Sequence, residues 1–244
     1  MTAPGCLDPA SCEVPNVGEL DLRRLRLVRV PAGVPFHTAY RRAYWPALFN
    51  PSAAGNARFS PLVVDGVTVP MMYGAMTQTV ALLETCFHDV HELATKLVSL
   101  PLDLAPRGLV ALTAPALLPL IDLTDIALDR VGLDRRQLVA TTPEHYACTR
   151  EWAIAFHGRR IGGLLPAGLL WRSRIAELAQ ADSLLLGDLL TVASDAFVLF
   201  GDRVPTDPGA WRPGDPHFDD LTAGDGRLLA EQIAEQLDAV IVPI

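Results

Sequence analysis

The sequence is short of positive charge. Its 20 Lys and Arg stand against 28 Asp and Glu, a formal net charge of −8. Non-specific binding to nucleic acid needs a basic face, so no direct nucleic-acid binding is expected, although a local basic pocket is compatible with an acidic protein. The chain also lacks a run of about 20 uncharged apolar residues, the length a membrane-spanning helix requires. Its apolar run 109–123 contains Pro115 and Pro119 and is too short to span. No basic segment followed by an apolar run opens the chain, so no signal peptide and a cytoplasmic location are expected. G-x-S-x-G, P-loop and H-E-x-x-H patterns are missing, Gly162-Gly163 is not followed by a phosphate-binding pattern, and no internal repeat is present.

Metal-ligand spacing is missing too. Of the four cysteines, Cys6 and Cys12 are too far apart for a ribbon knuckle and have no second pair. Cys86 reads as a small buried hydrophobe, and the thiols as reduced. His88 and His91 share a helical face, with Asp89 and Glu92 beside them, but no third ligand group accompanies them. No metal is expected.

What is present is an ordinary globular composition, half apolar and 20% charged, in 244 residues. That suits one large domain, or one domain with terminal additions. Residues 1–18 read as a loose tail. Leu20–Val30 reads as a short helix running into a strand, and Phe36–Tyr44 as a strand. Asp65-Gly66 between β-branched residues signals a hairpin. Thr77 is placed to cap a helix predicted to run to about Val98. On that helix Val80, Leu83, Phe87, Val90 and Ala94 share one face, and Glu84 interrupts it. A carboxylate inside an apolar stripe either reaches water at its rim or is aimed into a cleft. Strands follow within 109–125 and a helix near Ala127–Val131 closed by Gly132. Thr142-Pro143-Glu144 starts a helix through Trp152 to Gly158. Gly168–Trp171 and Phe197–Phe200 read as strands, Leu184–Leu190 as apolar. Val204–Pro216 reads as a Pro-rich linker, and Gly226–Val240 as an amphipathic helix.

Arg58, Tyr73, Glu84 and Ser173 are each weak signals alone. In context they belong to Phe49-Asn50-Pro51-Ser52, Ala57-Arg58-Phe59-Ser60-Pro61, Tyr73-Gly-Ala, and Ala81-Leu-Leu-Glu84-Thr with His88-Asp89. Further on stand Ile121-Asp122-Leu-Thr124, Tyr146 to Trp152, Gly168-Leu-Leu-Trp171-Arg-Ser173-Arg174, and Leu199-Phe200-Gly-Asp-Arg-Val. Together these resemble the RES domain family over roughly residues 31–205. The implied organisation is an N-terminal extension (1–30), the RES domain (31–205), and a Pro-rich linker with a C-terminal helix (206–244).

The resemblance implies an α+β, ADP-ribosyltransferase-like fold, with two small sheets around a cleft and surrounding helices. It also implies an NAD-degrading toxin of a toxin–antitoxin pair, neutralised by an Xre-type helix-turn-helix antitoxin. NAD would be the substrate, with water or inorganic phosphate as acceptor. Protein ADP-ribosylation, or a degenerate binding protein that has lost turnover, are the alternatives. Glu84 and Ser173 match the family's Glu and Ser, and Arg58 and Tyr73 match residues lining the NAD pocket. The family's first Arg is where the sequence departs. A gap-free count places it at Thr38, so either Arg41 or Arg42 takes the role or the Arg is absent. On that count Thr38→Arg is expected to leave activity unchanged or raise it. The apolar stripe of the C-terminal helix has three destinations: its own domain, a homodimer, or the antitoxin.

Overall fold

The structure is a computed structural model, and it describes residues 3–88, 90, 95–177 and 194–243. In chain order the first half holds β1 (Leu27–Val30), β2 (Pro35–Arg41), β3 (Leu62–Val64), β4 (Val67–Val69), β5 (Met71–Ala75), α1 (Gln78–Leu83), β6 (Leu97–Ser99), β7 (Arg107–Thr113) and β8 (Leu118–Asp122). The second half holds α2 (Asp125–Val131), α3 (Arg135–Leu138), α4 (Tyr146–His157), β9 (Gly168–Arg172), β10 (Asp195–Phe200), β11 (Arg212–Phe218), α5 (Gly224–Gln236) and β12 (Val240–Val242). The domain is α+β. The expected pair of small sheets around a cleft is instead one eight-stranded sheet, in the order β1-β8-β9-β10-β5-β2-β7-β11, with two two-stranded ribbons beside it.

That large sheet has a seam. β5 and β2 share a single registered pair, His37 with Ala75, whereas β2 and β7 run together from Pro35/Thr113 to Arg41/Arg107. Two halves, β1-β8-β9-β10-β5 and β2-β7-β11, therefore meet at one point. In the first half β9 packs closely on β10. A Cβ on Gly168 would stand 2.0 Å from the Val198 carbonyl oxygen, so only glycine fits.

Alternation along the strands sorts side chains into two cores. On one face Met71, Ala75, Leu109, Leu169 and Trp171 pack with Val80 and Leu83 of α1, Trp152 and Phe156 of α4, and Ala230 and Ile233 of α5. On the other, Phe36, Met72, Val110 and Phe197 pack with Phe49 and Trp211 from connecting segments. Helices thus cover one face, and loops anchored by aromatic residues cover the other.

Local signals explain many of the elements. Asp65 and Gly66 both have positive φ, 51° and 78°, the geometry of a tight hairpin turn between β3 and β4. The Thr77 hydroxyl accepts from Val80 N at 3.2 Å and caps α1. α1 nevertheless stops at Leu83, far short of Val98. The Thr85 hydroxyl donates to Ala81 O at 2.8 Å, and Cys86 and Phe87 both donate to Leu82 O, which closes the regular ladder into turns. Val80, Leu83, Phe87 and Val90 are all buried as their periodicity predicted, while Ala94, Asp89, His91, Glu92 and Leu184–Leu190 lie outside the described residues.

The ends of the chain depart from expectation. The N-terminal segment is not loose: Val14 is buried, and Trp152 Nε1 of α4 donates to Pro15 O at 2.8 Å. The stretch expected as a linker supplies β11, which pairs with β7. Trp211 at its start is 1% exposed, meets Phe36 edge-on and donates to Pro205 O at 2.8 Å. Its prolines were compatible with a strand because β11 is the edge of the sheet. α5 packs on α1 and buries Ala230, Ile233, Ala234 and, at its C-cap, Leu237 within the chain, while Leu228 is 56% exposed. Trp211→Ala is expected to cost about 3–5 kcal/mol, the usual loss on truncating a buried aromatic. A urea midpoint unchanged from the parent would show that this segment is detachable.

Candidate functional site

The site is built where the loop before β3, strand β5, strand β9 and the start of α4 meet. Tyr73 lies on β5 and faces the helix-covered core. Its hydroxyl donates to Ser60 Oγ at 3.1 Å, and its ring stands edge-on to Trp171 of β9, 6.3 Å between centroids. Phe59 packs against the other side of Trp171 at 5.5 Å. Burial pushes the Tyr73 phenol above the usual tyrosine value, against smaller opposing pulls from the Ser60 hydrogen bond and the Arg58 charge. It is therefore a protonated donor through the neutral range and not a base.

Arg58 sits half-buried beside this tyrosine. Its guanidinium lies 5.5 Å from the Tyr146 ring centroid, a cation–π distance, and its carbonyl accepts from the Thr149 hydroxyl of α4. Two N–H groups in this cluster, Arg58 Nε and Trp171 Nε1, are buried without a hydrogen-bond partner among the described residues. A buried unpaired donor costs about 1–3 kcal/mol, and this aromatic cluster holds two of the seven such polar atoms among the described residues. Trp171 and Tyr146 stood inside the quoted sequence motifs but were not singled out there. Arg150 was missed as well. From α4 its guanidinium holds Asn56 Oδ1 at 2.8 Å, and it lies close enough to feel Tyr73 electrostatically. Helical spacing was the available signal, since Arg150 is four residues beyond Tyr146.

Beside Tyr73, the residues Asn50, Ser52, Ser60, Pro61 and Met71 enclose a cavity of about 40 Å³. That is room for a water or so, well below the roughly 300 Å³ at which small-molecule pockets begin. A larger depression of about 490 Å³ lies between Val17–Arg23 and Arg159 and touches none of the candidate residues.

Glu84 closes α1, with φ −76° and ψ −4°. It is half-buried, and its carboxylate has no hydrogen bond or ion pair among the described residues. The C-terminal end of a helix disfavours a carboxylate by roughly 0.3–1 kcal/mol. Nothing in the local packing repays that placement. Ser173 is 0% exposed and follows β9. Its hydroxyl accepts from Ala176 N at 3.2 Å and its amide donates to Ser194 O at 2.7 Å, so it caps the helical turn after β9. The described contacts join Arg58, Ser60, Tyr73, Tyr146 and Trp171 to one another and extend to neither Glu84 nor Ser173.

The arginine question acquires a geometric answer in part. Thr38 is 4% exposed, pairs with Val110 and faces the Phe36 core, opposite to the side chain of Tyr73. Its hydroxyl donates to the Tyr73 carbonyl at 2.9 Å across the seam. An arginine here would bury its charge among Phe36 and Val110, so the expectation that Thr38→Arg is harmless is withdrawn. Arg42 is committed elsewhere: its Nη1 pairs with Asp220 at 2.9 Å and donates to Ala105 O at 3.2 Å. These bonds engage one nitrogen of Arg42, the alternative to Arg41 for the family's first Arg. Arg41 is exposed, on the same face as Ala39 and Leu109, directly across from Arg107. Arg107 lies near enough to act on Cys86, two residues after Glu84. Of the β2 candidates, only Arg41 points to the helix-covered side.

A profile of the RES domain matches residues 26–207. The chain belongs to the RES domain family. The match spans Arg58, Tyr73, Glu84 and Ser173, and ends just before β11 and α5. Among solved structures, the RES chain is similar to one from the crystal structure of the M. tuberculosis MbcT–MbcA toxin–antitoxin complex, with TM-score 0.52 and 17% identity over 86% of this chain and 93% of that one. At that identity the likeness is one of fold. No curated protein sequence matches this RES protein. Among its described residues no helix is long and apolar enough to cross a membrane.

Thr38→Arg is expected to destabilise the domain by about 3 kcal/mol or more, as an unpaired buried charge does. Thr38→Val, which loses only the bond to Tyr73 O, is expected to cost about 1 kcal/mol. Equal urea midpoints for the two variants would show that position 38 opens to solvent.

Proposed function

We propose that this RES protein is a toxin of a toxin–antitoxin pair that cleaves the nicotinamide–ribose bond of NAD. The observation that carries the reading is the pair of unpartnered buried donors, Arg58 Nε and Trp171 Nε1, gathered around Tyr73. Family membership supports it, and so does the fold likeness to a chain of a complex described as toxin–antitoxin. An ADP-ribosyltransferase-like cleft is part of the same proposal, opened along the seam between the two half-sheets.

The chemistry suits these groups. Cleavage breaks the C1′–N bond, and its electron pair stays on the ring nitrogen, so nicotinamide leaves neutral without needing a proton. Positive charge grows on the ribose, and a carboxylate facing it lowers the barrier electrostatically. Glu84, unpaired and half-buried, is assigned that role. The acceptor then adds to C1′: water loses a proton and gives ADP-ribose, or phosphate gives the 1-phosphate. Arg58 would hold the pyrophosphate by charge-assisted bonds, with Arg150 or Arg41 as the second cation. Tyr73 would stack on nicotinamide. Ser173 supports the β9 end through its cap and offers its hydroxyl hydrogen to the ribose. The cognate partner, an Xre-type antitoxin, would cover the cleft. A binding-only protein is the second reading, and the observation favouring it is Thr38 at the family's first Arg position.

Purified protein incubated with NAD, with and without phosphate, is expected to release nicotinamide, and the arm that is faster names the acceptor. Glu84→Gln is expected to lower kcat by about 10²–10³-fold, the scale of losing one electrostatic transition-state contact. Wild-type protein that folds, is free of partner and releases no nicotinamide would overturn the enzyme reading in favour of the binding-only one. Arg58→Ala is expected to raise KM by about tenfold or more, and Arg42→Ala to leave it within about twofold, because only the first guanidinium is uncommitted. Equal effects of the two substitutions would refute this assignment of the arginines.

A further inference from the structure

We propose that Cys6, Cys12, His145 and Cys148 form a Cys₃His site for a structural zinc ion, which fastens the N-terminal segment to the start of α4. The Sγ atoms of Cys6 and Cys12 and a ring nitrogen of His145 all lie within 4.8 Å of one another. Cys6 Sγ is 3.5 Å from His145 Nδ1, and Cys12 Sγ is 3.6 Å from Cys148 Sγ. Zinc bonds of about 2.3 Å to sulfur and about 2.0–2.1 Å to nitrogen, set at the tetrahedral angle, require S···N edges of about 3.5 Å and S···S edges of about 3.8 Å. The two measured edges are close to those values, and Cys148, which stands beside Cys12 but outside the 4.8 Å group of the other three, would swing in by its side chain to complete the tetrahedron.

Three of the chain's four cysteines thus converge with a histidine from segments 136 residues apart. Packing of small apolar side chains does not require that convergence, as Cys86 shows by lying in the core outside this group. A disulfide is a different matter from the geometry seen: all four cysteines are free, and the 3.6 Å Cys12–Cys148 separation is far above the roughly 2.0 Å of an S–S bond. Thiolate and imidazole donors select zinc over calcium or magnesium. Binding would convert three thiols to thiolates and release their three protons to water. Four protein ligands leave no open position, so the ion's role is structural and not hydrolytic.

The backbone already supports this junction. Leu7 N donates to Glu144 O at 3.0 Å, one residue from His145, and Cys6 N donates to Ala3 O at 3.1 Å. The ligands also alternate with residues of the candidate site. Tyr146, beneath Arg58, follows His145, and Thr149, which holds the Arg58 carbonyl, follows Cys148. Zinc would therefore fix the end of α4 that supports Arg58.

The test uses the full chain, expressed with added zinc and purified under reducing conditions without chelator. About one zinc per chain is expected by mass spectrometry of the metal. Stripped, reduced wild-type protein is expected to take up Co²⁺, with thiolate-to-cobalt charge-transfer absorption and the strong visible bands of a tetrahedral site. At matched free zinc, Cys12→Ser is expected to retain less than about a tenth of the wild-type zinc, on the scale of losing one ligand, whereas Cys86→Ser retains it all. If Cys12→Ser does not fold, the wild-type stoichiometry and cobalt spectrum decide the matter. Folded wild-type protein that holds no zinc and, after reduction, gives no tetrahedral cobalt spectrum would overturn the proposal. Isolation with a Cys12–Cys148 disulfide that, once reduced, binds neither ion would overturn it equally.

Discussion

The architecture depends on how β2 and β5 meet. After the pair His37/Ala75 the two strands separate, and the sheet stays joined there by the Thr38 hydroxyl on the Tyr73 carbonyl. That one bond does two things. It satisfies a backbone acceptor that has lost its ladder partner, a group that is costly to leave unpaired when buried. It also ties the half-sheet carrying Tyr73 and Trp171 to the half-sheet carrying Arg41 and Arg107.

The candidate site is a place where local packing rules are broken twice and the breaks are not repaired nearby. Arg58 and Trp171 bury donors without acceptors, and Glu84 puts a carboxylate at the unfavourable end of α1. Of the other buried tryptophans, Trp152 and Trp211 each bond a proline carbonyl. Trp171, 2% exposed, differs from these two in having no partner for its Nε1 among the described residues.

Much of the element pattern was legible in the chain because its signals are short-range. The Asp65-Gly66 turn, the Thr77 cap and the apolar strands 168–171 and 197–200 each depend on neighbours within a few residues. The helix expected to reach Val98 failed for an equally local reason, competition from Thr85 and a shared Leu82 carbonyl, which periodicity does not register. The supposed linker failed for a non-local one. Its prolines read as loop, yet the edge of a sheet tolerates them, and Trp211 had a core to fill. Of the site, the sequence order marked Arg58, Tyr73, Glu84 and Ser173, but not which of their neighbours stack on them.

The sequence alone determined the family, the α+β character and the acidic composition, since these follow from local pattern and residue counts. Tertiary structure decided matters that require two distant segments to meet. It put the Thr38 side chain on the face opposite the Tyr73 ring because strand alternation, not position in a count, sets which face a side chain takes. It tied Arg42 to Asp220, 178 residues away. And it gathered Cys6, Cys12 and His145, whose spacing along the chain matches no zinc motif, within 4.8 Å of one another, with Cys148 3.6 Å from Cys12. Metal geometry is a property of space, and the ligands came together only when the N-terminal segment folded onto α4.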